Sequence, residues 1–365
     1  MAASRTAVLI LGMHRSGTST LTGLLSMLGC DLPATVMPAN DFNAKGYFES
    51  LEVCKLNDAI LASGGSIWHD WQSFDQAWFH SDKAPEFFDR AREVLEKEYG
   101  SSPLFLLKDP RICRLLPFWL KVLEQADIGL VIVQTHRNPL EVGKSLQVRD
   151  GLHTELVQLI WLQHVLSAER YTRGIQRCFI SYERLLSNWQ SDVSRVSQAL
   201  GLSWPRSAEQ VSAEVDEFLS PSLRHYQAPK ELVLSGSEVS KWVSDTYATL
   251  EMWAEHGEDE GHREALDCMF GEFNQAAPNF AKVVALAQSS FRKSVEQERE
   301  LSILKAELQE FRLSQAPALQ PVDVVVDRCD ELLNELAMFN QRLQDSGQQL
   351  SNLQQSCDAL RGISV

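Results

Sequence analysis

The chain has 365 residues, 44% of them hydrophobic, so it can bury a full core and has room for one large domain plus an appendage. Its formal net charge of −15 argues against a general nucleic-acid coat, because phosphate contacts need clustered Lys and Arg. Seven scattered cysteines without C-x-x-C spacing favour neither a disulfide framework nor a zinc site, and we expect a cytoplasmic protein.

The first predicted element is the fully apolar run "TAVLILGM" at residues 6–13, which is typical of a buried strand. The segment after it has leucines at helical spacing, and Gly29 is the expected end of that helix. Strand, loop and helix together predict one right-handed crossover unit.

The same alternation continues along the chain. Further strands are predicted at 103–109, 128–137 and 178–186, and the helical stretches between them are 83–99, 114–126 and 154–173. This pattern predicts an α/β fold, with a parallel sheet covered by helices and ligands at the carboxyl ends of the strands. Because no run approaches eighteen apolar residues, we expect no transmembrane helix.

The last eighty residues have a different pattern. Apolar or small residues alternate spacings of three and four from Cys329 to Leu360, as in a coiled coil, and a similar run spans Leu301 to Phe311. We therefore predict a main domain at 1–285 and a helical region at 286–365 that forms a homo-oligomer. A helical hairpin within the region and an amphipathic helix packed on the main domain are the alternatives.

The loop "LGMHRSGTST" (residues 11–20) resembles a phosphate-binding loop, but Thr18 stands where such loops carry lysine. Between a strand and a helix, its backbone N–H groups and the positive end of the helix would face an anion. Gly17 permits close approach, Ser16, Thr18 and Ser19 supply donors, and Arg15 can replace the lysine as the phosphate-gripping cation.

A second anion-binding pattern follows a later strand. In "VIVQTHRNPLEVGKSL", Arg137 ends the apolar run and Ser145 follows eight residues later, inside the next predicted helix. Together with R-S-G-T-S in the first loop, this pattern resembles the sulfotransferase family that uses 3'-phosphoadenosine 5'-phosphosulfate (PAPS), in its Golgi and bacterial branches.

The resemblance implies roles for named residues. The first loop would hold the 5'-phosphosulfate, Arg137 and Ser145 would hold the 3'-phosphate, and Tyr182 in "FISYERLL" would lie near the nucleotide. Arg224 in "SPSLRHY" would close on the donor. Lys108, in "LLKDPRICRLLPFW", lies in the segment where the cytosolic branch carries a catalytic histidine, so a histidine base at that position is not expected.

The reaction implied is transfer of a sulfuryl group to an acceptor hydroxyl or amine without a metal, with Arg15 and Lys108 meeting the developing charge. Glu49 is the candidate base for the acceptor proton, and His69 is the rival. The acceptor would be a small molecule or glycan. Four aromatic residues could stack on a sugar or could equally lie in the core, namely Trp68, Trp71, Trp78 and Phe79.

Two other functional classes stay open at this point. A kinase with a phosphate-binding loop would use Asp109 as a magnesium ligand, although Thr18 and the Arg137–Ser145 pair argue against it. A non-catalytic interaction protein organised by the coiled coil would have no affinity for PAPS.

Overall fold

In the computed structural model, which describes residues 5–219, 226–314, 331–338 and 341, four parallel strands form the sheet. The strand order is β2-β1-β3-β4, with β1 at Thr6–Leu11, β2 at Leu104–Lys108, β3 at Gly129–His136 and β4 at Arg177–Ser181. β1 pairs with both β2 and β3, so the chain reverses its direction of winding at β1.

Alternate side chains of β1 enter two different hydrophobic clusters on opposite faces of the sheet. Ala7, Leu9 and Leu11 belong to one cluster, and Val8 and Ile10 belong to another. Both faces are therefore buried, which explains why this strand is continuously apolar in sequence.

Helices fill the connections between the strands and the chain after β4. They are α1 (Thr18–Met27), α2 (Leu51–Ser63), α3 (Ala84–Tyr99), α4 (Leu116–Gln125), α5 (Pro139–Asp150), α6 (Thr154–Tyr171), α7 (Tyr182–Ser187), α8 (Trp189–Leu200), α9 (Ala208–Phe218), α10 (Lys230–Leu234), α11 (Lys241–His256) and α12 (Arg263–Ser314). The predicted α/β architecture with a helix-covered parallel sheet is confirmed.

The chain divides into two compact units, Met1–Ala285 and Leu286–Val365. Within the first unit, α12 begins with Leu266, Met269 and Phe273 buried in a core cluster, a helical spacing that faces one side inward. Most of the predicted heptad run from Cys329 to Leu360 lies outside the described residues, so the coiled coil stays a prediction. No helix among the described residues has the length and apolar character to cross a membrane.

Candidate active site

The loop between β1 and α1 turns at Gly17, which caps α1 in the left-handed conformation (φ 87°). A Cβ atom at this position would lie 2.3 Å from Cδ2 of Tyr182. Glycine is therefore required both by the backbone angle and by the ring packed against the loop. Tyr182 lies at the first turn after β4, so the fold brings this predicted nucleotide residue onto the phosphate loop.

Arg15 in this loop also has a left-handed backbone (φ 66°), which is uncommon for a residue with a side chain and stores strain at the site. Its Nε donates to Ser145 Oγ at 2.8 Å, and Nη1 donates to the carbonyl of Phe42 at 2.9 Å. Burial lowers the pKa of Arg15, and the nearby charges of Arg149 and Arg137 lower it further. An anionic ligand here would relieve this crowding of like charges.

Lys108, at the carboxyl end of β2, is almost completely buried, with 2% of its surface exposed. Its Nζ donates to Ser19 Oγ at 3.1 Å and to the Tyr47 carbonyl at 3.0 Å, and it also pairs with Glu49 Oε1. An ammonium group thus reaches the start of α1 from the neighbouring strand. It supplies, from another part of the chain, the cation that the loop lacks at Thr18.

Glu49 immediately precedes Ser50, the N-cap of α2, and is 5% exposed. One carboxylate oxygen accepts from Lys108, and the other accepts from the thiol of Cys54 at 3.3 Å. Burial raises the pKa of the Cys54 thiol, so the thiol stays protonated and serves as the donor. The predicted base therefore lies beside the predicted charge-stabilising lysine, and the two are paired.

Arg137 follows β3, and its guanidinium lies over the ring of Tyr182, 4.8 Å from the centroid. Nε donates to Glu141 at 2.7 Å, while the other two nitrogens donate to the carbonyls of Arg15 (3.3 Å) and Tyr226 (3.1 Å). Ser145 accepts from the Arg15 side chain rather than from Arg137. The two predicted 3'-phosphate residues thus both contact Arg15.

Asp109 is fully buried and holds the turn after β2. Its carboxylate accepts from Asn57 Nδ2 (2.9 Å), from the Arg111 amide (3.0 Å) and from Arg111 Nη1 (3.0 Å). Burial raises the pKa of this carboxyl, but Arg111 and these hydrogen bonds outweigh it and leave the pKa lowered. The oxygens that a kinase would offer to magnesium are already engaged by protein donors.

Asp109 also belongs to a buried cluster whose potential metal-ligating atoms lie within 4.8 Å of one another, together with Glu49 and Cys54. Arg111 and Lys108 are paired with its two carboxylates. A metal ion would have to displace both cations, so this donor set does not fit a resident metal.

A cavity of about 680 Å³ at the carboxyl edge of the sheet is lined by the β1–α1 loop together with Glu49, Lys108, Arg137 and Tyr182. Among the described residues, six cationic side chains and two carboxylates line it. The cations are Arg15, Lys45, Lys108, Arg111, Arg137 and Arg149, and the carboxylates are Glu49 and Asp150. A protein with a net charge of −15 therefore concentrates positive charge in one concave place, which is the electrostatic signature of an anion-binding site.

Some predicted site residues lie elsewhere. Ser16 is fully buried and is not a lining residue of this cavity, and neither are Ser145 and His69. Arg224 lies outside the described residues. Three of the four aromatic candidates, Trp71, Trp78 and Phe79, are buried in core clusters. Those three are core residues, and the aromatic candidate that lines the cavity is Trp68.

Sequence reasoning missed His14, which precedes Arg15 and lines the cavity. Its ring lies 4.6 Å from that of Trp68, and its Nε2 is buried without a partner among the described residues. Burial lowers the pKa of His14 well below 6.5, and nearby cations, led by Arg111 and Arg149, lower it further. A neutral imidazole is thus held beside the phosphate loop, and its position directly before Arg15 was the available signal.

The comparison with known families identifies the class of protein. A model described as "Sulfotransferase family" matches residues 7–206, which is more than half of the chain and includes β1 to β4. The chain belongs to the sulfotransferase family.

Solved structures and curated proteins complete the comparison. The chain is similar to the sulfotransferase domain from the curacin biosynthetic pathway, with a TM-score of 0.39 and 16% identity over 68% of this chain and 98% of that chain. It is also similar to the sulfotransferase domain from the Synechococcus PCC 7002 olefin synthase, with a TM-score of 0.38 and 16% identity over 67% and 95% of the two chains. The search of curated proteins gave no match.

Proposed function

We propose that the protein transfers a sulfuryl group from PAPS to a hydroxyl or amine of a small-molecule or glycan acceptor. The observation that carries this proposal is the convergence of Arg15, Lys108 and Arg137 on one loop. They come from the loop itself, from the end of β2 and from the end of β3. Three separate segments thus deliver cations to the start of one helix, and those of Lys108 and Arg137 are buried.

The donor set fits PAPS, whose phosphates and sulfate are all anionic. Arg15, Lys108 and the amides at the start of α1 would hold the phosphosulfate, and Arg137 and Ser145 would hold the 3'-phosphate. Tyr182, packed on Gly17 and under Arg137, would form a wall of the nucleotide site. When bound, PAPS supplies a sulfuryl group activated by a phosphate leaving group.

The cations are held in place before the reaction. Lys108 is fixed by Ser19 and by the Tyr47 carbonyl, and Arg15 is fixed by Ser145 and by the Phe42 carbonyl. Charge that develops on a bridging oxygen would therefore meet oriented donors without reorganisation, which is an efficient form of electrostatic catalysis.

Glu49 is the proposed base for the acceptor proton. Its carboxylate pairs with Lys108, so the proposed base lies next to the cation that would meet the developing charge.

The helical region at 286–365 is proposed to mediate self-association. Along the described part of α12 in this region, several apolar side chains are exposed, including Leu286 (69%), Ile303 (50%) and Phe311 (54%). Exposed apolar side chains on a helix are stabilised by burial against another helix.

The test is the thermal stability of the full-length protein with and without the desulfated nucleotide, 3'-phosphoadenosine 5'-phosphate. At one hundred times its dissociation constant it should stabilise the protein by about 2.7 kcal/mol. Adenosine 5'-phosphate, which lacks the 3'-phosphate, is the matched control and should bind more weakly.

Absence of stabilisation by the desulfated nucleotide would favour a non-catalytic interaction protein. Stabilisation only by ATP with magnesium would favour the kinase alternative. Transfer of labelled sulfate from PAPS to an acceptor mixture completes the assignment.

A further inference from the structure

Arg149, near the end of α5, lines the cavity but belongs to neither of the two motifs that match the donor. Its Nε donates to Asp150 at 2.7 Å. The two terminal nitrogens of its guanidinium donate no hydrogen bond to any residue in the described part of the chain. The terminal N–H groups of a planar guanidinium can donate two parallel hydrogen bonds to a carboxylate or a sulfate.

Trp68 fixes the position of this guanidinium. The Arg149 head group lies over the indole, 5.5 Å from the ring centroid, and the ring of His14 lies 4.6 Å from the same indole. Cation–π contact of this kind holds an arginine in place while its edge stays available for hydrogen bonding.

The loop that carries Trp68 is itself held by a buried arginine. Arg114 has a fully buried side chain, and its nitrogens donate to the Ile67 carbonyl, to Ser66 Oγ at 2.9 Å and to the Gln72 carbonyl at 3.0 Å. The guanidinium of Arg114, in the segment after β2, thus hydrogen-bonds to the loop both before and after Trp68. The Trp68–Arg149 pair therefore stands on a rigid support.

Arg149 differs from the donor residues in its contacts, although its charge lies near enough to Arg15 to lower the pKa of that guanidinium. The donor residues form one continuous group, in which Arg137 contacts Tyr182 and Tyr182 contacts Gly17. Arg149 contacts Trp68 instead, on the loop that Arg114 clamps. An anion bound by Arg149 would lie beside the donor group and would be a part of the second substrate.

We propose that Arg149, supported by Trp68, binds an anionic group of the acceptor, so that the acceptor is a hydroxyl compound bearing a carboxylate or sulfate, such as an acidic sugar. This inference rests on the proposed sulfotransferase function and adds the charge of its substrate.

The experiment compares two probes that differ in one group, 4-nitrophenyl β-glucuronide and 4-nitrophenyl β-glucoside. Their dissociation constants are measured by calorimetry on the full-length protein saturated with 3'-phosphoadenosine 5'-phosphate. The wild-type protein should bind the glucuronide about 10- to 100-fold more tightly, as expected for charged hydrogen bonds. Arg149→Gln should abolish this preference and keep nucleotide affinity. Arg92→Gln, at an exposed position on α3, is the control and should change neither value.

Equal affinity of the wild-type protein for both glycosides, including binding of neither, would overturn the proposal. A loss of nucleotide affinity in Arg149→Gln would instead make Arg149 a donor residue and would also overturn it. If the wild-type protein does not bind the nucleotide at all, the proposed function fails, and the glycoside comparison on the free protein still reports on the anionic site.

Discussion

The carboxyl edge of the sheet and the exposed stretch of α12 after Leu286 distribute their side chains in opposite ways. At the sheet edge, charged groups such as Lys108 and Glu49 are buried and paired. Along the helix, apolar groups such as Leu286 and Phe311 are exposed. Folded chains normally do the reverse at both places.

Both the buried charges and the exposed apolar side chains lower the stability of the protein locally, and each suggests a different kind of function. Burying Lys108 and Glu49 removes hydration that their mutual attraction only partly replaces, but it keeps oriented charges in a low dielectric, where they act strongly on a reacting group. Exposing apolar side chains leaves surface that a partner can cover. The first region therefore supports the proposed chemistry, and the second supports the proposed self-association.

The largest effect is expected from Glu49→Gln, which tests whether the buried charges at the sheet edge take part in the reaction. Turnover should fall by about 10² to 10⁴ while PAPS affinity is kept, because a positioned base contributes that much. Initial rates on the native acceptor across pH 5 to 9 provide the measurement. Glu52→Gln, a partly exposed neighbour on α2 that pairs with Lys55 at the surface, is the control. Lys108→Ala should slow transfer even to acidic phenols that hardly need a base.

Wild-type turnover in Glu49→Gln would remove Glu49 from the chemistry. In that case, a loss in His14→Gln would assign the proton to the neutral imidazole of the loop, and a loss in His69→Ala would assign it to His69.

Arg137→Ala should weaken both PAPS and its desulfated product by about 10- to 100-fold, because the 3'-phosphate is present in both and charged hydrogen bonds have this strength. Arg15→Ala should reduce turnover more than product affinity. Isothermal titration calorimetry with the desulfated nucleotide distinguishes these two variants, because its affinity should fall more in Arg137→Ala than in Arg15→Ala. Unchanged affinity in Arg137→Ala would contradict the assignment.

Acid should destabilise the domain through its buried imidazoles. Burial lowers the pKa of His164 to about 3 and that of His14 well below 6.5, so the unfolded chain binds these protons first as the pH falls. The stability that these neutral imidazoles contribute is therefore complete well above pH 6.5 and decreases as the pH falls through this value, by about 2 kcal/mol for His164 at pH 5. Urea unfolding between pH 7 and pH 5 measures this loss.

His164→Asn, whose amide can keep the hydrogen bond to the Ile160 carbonyl, should reduce the pH dependence. Substitution of the exposed His256 should leave it unchanged. An identical pH dependence in His164→Asn would show that other groups cause the acid sensitivity.

Truncation after Ala285 should have the smallest effect on the site. The remaining domain should fold and keep its affinity for the desulfated nucleotide, while its oligomeric mass in light scattering should fall to that of one chain. A truncated protein with the oligomeric mass of the full-length chain would show that the apolar stretch does not drive association.

Features that are local in sequence could be predicted. The parallel sheet follows from fully apolar runs separated by helical patterns, and the turn between β1 and α1 follows from the order of residues between 12 and 19. The position of Arg137 follows from its place directly after β3, because the carboxyl ends of parallel strands share one edge. That these residues bind phosphate stays a prediction.

Contacts between distant segments could not be predicted in the same way. The hydrogen bond from Arg15 to Ser145 and the pair of Lys108 with Glu49 join residues 130 and 59 positions apart. Their geometry depends on packing angles that no short pattern encodes. The sequence could not show that Trp68 lines the cavity while Trp71 and Trp78 lie in the core, because a tryptophan is equally common in both settings.

The close approach of Tyr182 to Gly17 limits which substitutions these two positions can accept in evolution or in protein engineering. A side chain at position 17 and a large ring at position 182 exclude each other, since their atoms would lie 2.3 Å apart. Because the left-handed backbone alone also strains a side chain at position 17, this position is expected to stay glycine among descendants of this sequence even where the ring at position 182 becomes smaller. An engineer who wants to enlarge the proposed nucleotide site at this point therefore has position 182 to change and leaves position 17 as it is.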